Sequence, residues 1–380
     1  MTGCKRIEAR INLKNAEHNF REIERYCGGA SVIAVIKADA YGHGATELAK
    51  LYTRLGAKML AVACLDEALE LRKSGITLPI LILGYTPPEY VPLLLKNDIS
   101  QAVFSGKYAT LLSDAASNCK KKLSVHIKLD TGMTRLGIYA HRGHFMQAAD
   151  EAENICTLQG VAADGIFTHF AEAEISDKAF TDEQFESFSQ TVSELSERGI
   201  SFKFCHCANS AGVLNYKKSH MSCVRPGLAL YGLNPGVKCA DGIELRPVMT
   251  LAALVADVRE VRKGDSVSYN RHFIAPRDMR IAIVSAGYAD GVPRCLSGRA
   301  SFLIGGRRAP IIGNICMDLT VLDISDIPNV SQGDEAVIFG TQGDAKLSVD
   351  ELASLSGTIS YELLTSVSKR VVRTYTHFDA

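Results

Sequence analysis

"SVIAVIKADAYGHGA", residues 31–45, sets six mostly apolar residues before a lysine, then a tyrosine and a glycine–histidine–glycine turn. The apolar run reads as a buried strand that ends by delivering Lys37, and Gly42 and Gly44 let the chain turn sharply into a helix. Working outward, the same pattern recurs. Short β-branched runs occupy 31–36, 59–63, 79–83, 100–104, 123–129, 164–168, 202–206 and 222–225. Most of the gaps are helical in period: Phe185, Phe188, Val192 and Leu195 draw one apolar stripe, and "LDEALELRKSG" (65–75) ends in a basic turn and a glycine stop.

Strands alternating with helices over about 230 residues suit an α/β fold, an eight-stranded parallel (β/α)8 TIM-type barrel over 12–240. A doubly wound open sheet is the rival, because alternation does not establish closure. No Gly-x-Gly-x-x-Gly follows the first strand, which weakens its dinucleotide-binding version. After "LNPGVKCADGIELRP" (233–247) the rhythm changes to strand-like runs separated by Gly-Asp turns and glycine pairs, with little helix until 348–356. This predicts a mostly β C-terminal domain over 241–380, joined by the N-terminal strand 1–11.

Lysine and arginine number 42, as do the acids, so no net positive field favours nucleic acid or an anionic membrane. The N-terminal "MTGCKRIEARINL" lacks a signal peptide's apolar stretch, and no run approaches the roughly 20 residues that span a bilayer. A cytoplasmic location is expected. Eleven cysteines without a Cys-x-x-Cys pair read as free thiols. In "CHC" (205–207) a strand would turn His206 away from Cys205 and Cys207, so no metal site is expected there.

In a β/α barrel the chemistry lies at the C-terminal ends of the strands. Those positions hold Lys37, Asp39 and Tyr41; Lys128, Asp130 and Arg135; Thr168 and His169; His206, Asn209 and Ser210; and Arg225 before "PGLALYG". Alone, a strand-end lysine reaches water, a histidine packs, and an arginine pairs with an acid. Together on one rim they favour a site for an anionic, carbonyl-bearing ligand. A desolvated lysine near other cations becomes nucleophilic. Backbone amides in "NSAG" and "RPGLA", with the Ser210 hydroxyl, suit a phosphate. The set describes a pyridoxal-phosphate pocket.

"AVIKADAYGHGA", "HIKLDTGMTRLG", "FTHFAEAE", "CHCANSAG", "VRPGLALYG", "GDSVSYN", "SAGYADGVPR" and "GNICMDLT", in this order, resemble the signature segments of the bacterial alanine racemase family, a likeness running from residue 7 to about 375. The resemblance implies that Lys37 forms the internal aldimine with pyridoxal 5'-phosphate. It implies that Tyr41, Ser210 and Tyr361, with amides around Gly227 and Leu228, hold the phosphate. His169 would lie against the cofactor and Arg225 would face its ring nitrogen. Guanidinium donates a hydrogen bond without surrendering its proton, so that nitrogen would stay largely unprotonated and the cofactor a weaker electron sink.

Racemisation needs two bases on opposite faces of Cα. The resemblance assigns them to Lys37 and to Tyr269, which enters from the partner subunit of a homodimer with shared active sites. Ordinary tyrosine titrates near ~10, so Tyr269 needs help from His169 and nearby arginines. Arg135 and the Met317 amide would bind the substrate carboxylate. Lys128 matches a lysine often carbamylated in the family. His206 and Asp318 would support the site, while Tyr288 and Tyr361 would narrow the entrance and favour a methyl side chain. Two positions depart from the family: Asn270 and Val372 stand where glycine and proline are common, and asparagine tolerates positive φ.

The implied function is alanine racemase supplying D-alanine for peptidoglycan. Racemisation of serine, or broad specificity, is one alternative. A non-catalytic pyridoxal-phosphate carrier on the same barrel is another, against which the β domain argues. A barrel-type amino-acid decarboxylase is a third, and the Gly-x-x-Cys-Asp pattern expected there is absent from "GNICMDLT".

Overall fold

The computed structural model describes residues 5–236 and 242–376 and divides into two compact units. One comprises Asn15–Ala40 and Ala45–Arg246; the other gathers the N-terminal residues to Lys14, Tyr41–Gly44 and the chain from Pro247 onward.

The first unit is built on β1 (Ser31–Val35), β2 (Met59–Val62), β3 (Ile80–Ile82), β4 (Ile99–Val103), β5 (Leu123–Asp130), β6 (Val161–Phe167), β7 (Phe204–His206) and β8 (Cys223–Val224). Each pairs in parallel with the next. The return of β8 to β1, Cys223 against Ser31 and Val224 against Val32, closes the ring and excludes the open sheet. Every residue of β2, β3 and β4 is buried, as befits strands covered on both faces.

The helix Ala179–Glu197 is turned differently from its apolar stripe. Phe188 and Leu195 are buried, but Thr181, Gln184 and Thr191 share their face, and Phe185 and Val192 are half-buried. The reason is hydrogen bonding. Gln184 offers its Oε1 to the Ala171 N–H (2.9 Å) and its Nε2 to the His169 carbonyl (3.3 Å).

Beyond β1, Ala38, Asp39, Ala40 and Tyr41 all have φ between 51° and 53°, one turn of left-handed helix. For L-residues this costs roughly 1–2 kcal/mol each. Nothing in "KADAY" asks for it, so other contacts hold it. Glu67 accepts the Ala38 N–H (2.6 Å), Asp39 accepts the Ala45 N–H (2.7 Å), and the Ala40 N–H reaches the Ile36 carbonyl (2.9 Å).

In the second unit the long strand Met249–Val261 is central. It pairs antiparallel with Ile7–Asn12, Glu335–Gln342 and Met279–Val284. Ile7–Asn12 in turn pairs in parallel with Val372–Thr376. Gly42 and Gly44 sit here at φ 81° and 94°. A Cβ on Gly42 would strike the Leu364 carbonyl, and one on Gly44 the Tyr375 hydroxyl. The two glycines therefore serve close packing as well as the turn. Arg373 Nε also donates to the Gly42 carbonyl (3.1 Å).

Candidate active site

In the barrel unit the strand ends bring cations together. Lys37 follows β1 and is half-buried; burial, then the charge of Arg135, lower its ammonium below the ordinary lysine value, and Glu67 opposes them. Lys128, on β5, is 6% exposed. Burial first, then Arg135 and Arg225, bring it down to about 8. Its ammonium lies 5.9 Å from the Phe167 ring centre. Burial and the charges of Arg225, Arg135, Lys128 and Lys37 hold His169 neutral, well below the usual imidazole range. Asp130, at the end of β5, folds the loop carrying Arg135 by accepting the N–H groups of Gly132 (3.1 Å) and Thr134 (2.9 Å).

Arg225 follows β8 and is buried. Its Nη1 donates to His206 Nδ1 and to the His206 carbonyl, each at 2.8 Å. Its Nη2 donates to the carbonyls of Thr168 (2.7 Å) and Cys207 (3.2 Å), with His169 Nδ1 at 3.3 Å. All these partners are neutral. Ser210 Oγ lies between β7 and β8, accepting the N–H groups of Gly227 (2.9 Å) and Ala229 (3.2 Å). Leu228, between those two residues, is buried.

The β unit places its own candidates. Tyr41 and Tyr361 meet with ring centres 5.8 Å apart. Burial, then Tyr361, raises the Tyr41 hydroxyl. Tyr269 is 67% exposed beside the small hairpin Ser266–Val267/Phe273–Ile274. Its carbonyl accepts Asn314 Nδ2 (3.0 Å), and Ser268 Oγ donates to the Asn314 carbonyl (2.5 Å). Asn270 adopts φ 64°, the conformation that asparagine tolerates in place of glycine. The N–H groups of Tyr288 and Ala289 bond the carbonyls of Cys316 and Met317, both at 3.0 Å. Gly287 allows this approach, since a Cβ there would meet both carbonyls. Tyr269, Tyr288, Met317 and Asp318 thus belong to connected loops.

Two supporting residues escaped the sequence reading. Glu67 accepts the Ala38 N–H with one oxygen and the Ala63 N–H (2.7 Å) with the other, tying the ends of β1 and β2 together. Asp290 is fully buried, bonded by Arg6 Nη2 (2.6 Å), Arg370 Nε (2.8 Å) and the Gly287 N–H (3.0 Å). Arg370 also reaches Asp318 (2.7 Å). Arg6 lies 284 residues and Arg370 80 residues from Asp290, so no local pattern in the sequence reveals them.

Among the described residues no group of three His, Cys, Asp or Glu is placed to hold a metal ion. None of the described helices is long and apolar enough to cross a membrane.

A family model for the alanine racemase N-terminal domain matches residues 11–235, and one for the C-terminal domain matches residues 248–375. An alanine racemase of Desulfovibrio desulfuricans is 43% identical over 370 residues, 97% of this chain and 98% of that protein. Among solved structures, the alanine racemase of Clostridium difficile superposes with a TM-score of 0.93 at 35% identity, covering 99% of this chain and 97% of that one. The alanine racemase of Bacillus anthracis with bound L-Ala-P gives 0.91 at 34% identity, covering 99% and 96%.

Proposed function

This chain belongs to the alanine racemase family, and from that premise we propose that Lys37 and Tyr269 exchange the Cα proton of alanine, with pyridoxal phosphate as cofactor. The activity is that of an isomerase, the interconversion of L- and D-alanine.

The observation that carries the cofactor assignment is the charge of the barrel rim. Lys128 and Arg225 are withdrawn from water and Lys37 is half-buried beside Arg135, and among the described residues the guanidinium of Arg225 is bonded only to neutral groups. Such a set fits a ligand bearing phosphate and carboxylate, and it fits a ring nitrogen that accepts a hydrogen bond. Pyridoxal phosphate, when bound, supplies the electron-withdrawing ring that makes an α-hydrogen acidic. Lys37 would hold the aldehyde carbon and take or return a proton on one face, burial and Arg135 disfavouring its charged form. Ser210, the amides of Gly227 and Leu228, and the hydroxyls of Tyr41 and Tyr361 would bind phosphate. Arg135 and the Met317 amide would orient the substrate carboxylate.

Tyr269 would work on the opposite face, supplied by the partner of a homodimer. Its exposure, shared with Ile274, Tyr288, Met317 and Leu319, supports that placement, because such apolar groups mark contact surfaces. His169, with Nδ1 facing Arg225, keeps its proton on Nε2 and would donate it toward the phenol. Asp318, His206 and Tyr288 would steady these groups. The product would feed peptidoglycan synthesis in the cytoplasm.

The test is incubation of each alanine enantiomer with purified protein and pyridoxal phosphate in deuterated water. The opposite enantiomer should form with deuterium at Cα. Exchange without inversion, or release of CO2, would sink the proposal.

A further inference from the structure

Behind Arg225 lies a second layer in which the proposed reaction uses His206 as a support and leaves His126 without a role. His206, at the end of β7, and His126, in the middle of β5, are both wholly buried. His206 Nε2 lies 2.9 Å from His126 Nδ1. Phe167 stacks on His206 (4.9 Å, 11°) and Phe204 on His126 (5.3 Å, 17°), fixing both ring planes. Arg225 lies over the same Phe167 ring, its Cζ 5.2 Å from the centre.

The protons in this chain follow from what each group can do. Guanidinium has only donors. The 2.8 Å contact from Arg225 therefore requires a bare Nδ1 on His206. A neutral ring then carries its proton on Nε2, which donates to His126. That contact requires a bare Nδ1 on His126, so its proton also sits on Nε2. No hydrogen-bond partner meets this last nitrogen among the described residues. The reverse direction would set a second proton against the guanidinium. Burial, chiefly, lowers both imidazoles, His126 to about 3, which keeps the rings neutral.

The backbone is built around His126. β6 opposes it with Gly165, and the register slips by one residue, leaving Asp164 out of step. A Cβ on Gly165 would overlap His126 Nδ1 and lie 2.8 Å from its Cγ. Asp164 turns to Ser124 Oγ (2.6 Å) and Lys203 Nζ (2.9 Å), leaving the imidazole pair without a carboxylate in hydrogen-bond contact.

We propose that His126 is a positioning residue, the terminal acceptor of a one-way hydrogen-bond chain from Arg225 through His206 that fixes the tautomers of both imidazoles and the plane of the guanidinium. Acceptance by His126 makes His206 Nδ1 more basic, and this strengthens its bond from Arg225. The guanidinium is thereby held rigid toward the ring nitrogen it would face. This rests on the cofactor reading above.

The test begins with nitrogen-15 NMR of histidine-labelled protein loaded with pyridoxal phosphate at neutral pH. Both rings should show a protonated Nε2 and a bare Nδ1; a proton on either Nδ1 overturns the proposal. This readout does not depend on turnover, so a protein that fails to racemise alanine yet shows these tautomers refutes the function and not the chain. Two variants then separate acceptance from packing. His126→Phe keeps a ring but removes the acceptor, whereas His126→Asn offers an amide oxygen near the place of Nδ1. The phenylalanine variant should shift the cofactor's visible band and lower kcat roughly 2- to 10-fold, the worth of one lost hydrogen bond, with KM for alanine little changed. The asparagine variant should restore the band and most of kcat. A phenylalanine variant with wild-type band and kcat would show that His126 only fills space.

Discussion

The Glu67 carboxylate and the Ala38 backbone N–H are joined at 2.6 Å, and this bond clamps the left-handed turn that follows Lys37. The other carboxylate oxygen takes the Ala63 N–H, so both oxygens face donors. A glutamine has one acceptor, and its NH2 would confront the second N–H. Glu67→Gln should therefore destabilise the protein by roughly 1–3 kcal/mol, as expected for a lost charged hydrogen bond. Urea unfolding reads the loss, and amide exchange at Ala38 should accelerate. Wild-type protection at Ala38 would show that the clamp lies elsewhere.

The same turn predicts a gain from the opposite change. Ala38 is exposed and has φ 51°, a conformation that penalises its Cβ and that glycine adopts freely. Ala38→Gly should raise stability by up to about 1 kcal/mol, the strain removed exceeding the added entropy of the unfolded chain. A fall in the urea midpoint would mean that the alanine is not strained.

Much of this arrangement was legible in the sequence. Barrel strands announce themselves because burial on both faces makes them short apolar runs, so Lys37, Lys128 and Arg225 could be set at strand ends without knowing a single contact. The left-handed turn was not legible, because Ala38 and Ala40 carry no preference for positive φ; Glu67 from another helix imposes it. His126 read as one polar residue in a strand, and its meaning comes from Gly165 and His206, which only the register brings opposite. The polar face of Ala179–Glu197 was missed for a like reason. Periodicity counts apolar residues, whereas Gln184 is buried by its bonds.

Asp290 gives a pH dependence with a definite sign. Burial would raise its carboxyl, but hydrogen bonds from Arg6 and Arg370 outweigh burial and hold it below the usual range. A depressed carboxyl contributes stability that is complete above its unfolded value, near ~3.9, and lost as pH falls through the folded value. Asp290→Asn should be less stable at neutral pH by about 3 kcal/mol, the low end for a broken buried pair because both arginines are partly hydrated. The gap should close below about pH 4. Urea midpoints at pH 7 and pH 3 check this, and an undiminished gap would contradict it.

Lys128 shares that sign but in a higher window and for the opposite reason, because the fold disfavours its charge. Its folded value of about 8 lies below the unfolded ~10.4. Between these the unfolded chain binds more protons, so stability should rise with pH across that window. Lys128→Met should lack the rise; parallel stability curves for the two proteins would refute the burial effect. Near pH 8 about half of Lys128 is the free amine, the form that adds CO2. Carbon-13 bicarbonate should therefore label the wild type with a carbamate beside Arg135 and leave the variant unlabelled at this site.

Substitution at Tyr269 separates chemistry from folding and one subunit from two. Tyr269 is exposed, so Tyr269→Phe should shift stability by no more than about 0.5 kcal/mol. As a general base it should be worth roughly 10²- to 10⁴-fold in rate, most clearly with L-alanine as substrate. Lys37→Ala should abolish both turnover and the cofactor's visible band, whereas Tyr269→Phe should keep the band. The two inactive variants can then be mixed and allowed to exchange subunits. If Tyr269 serves its partner's Lys37, each mixed dimer regains one intact site. Random exchange makes half the dimers mixed, so about a quarter of wild-type activity should return. If Tyr269 and Lys37 of one protomer worked together, every site in a mixed dimer would carry one defect, and nothing would return.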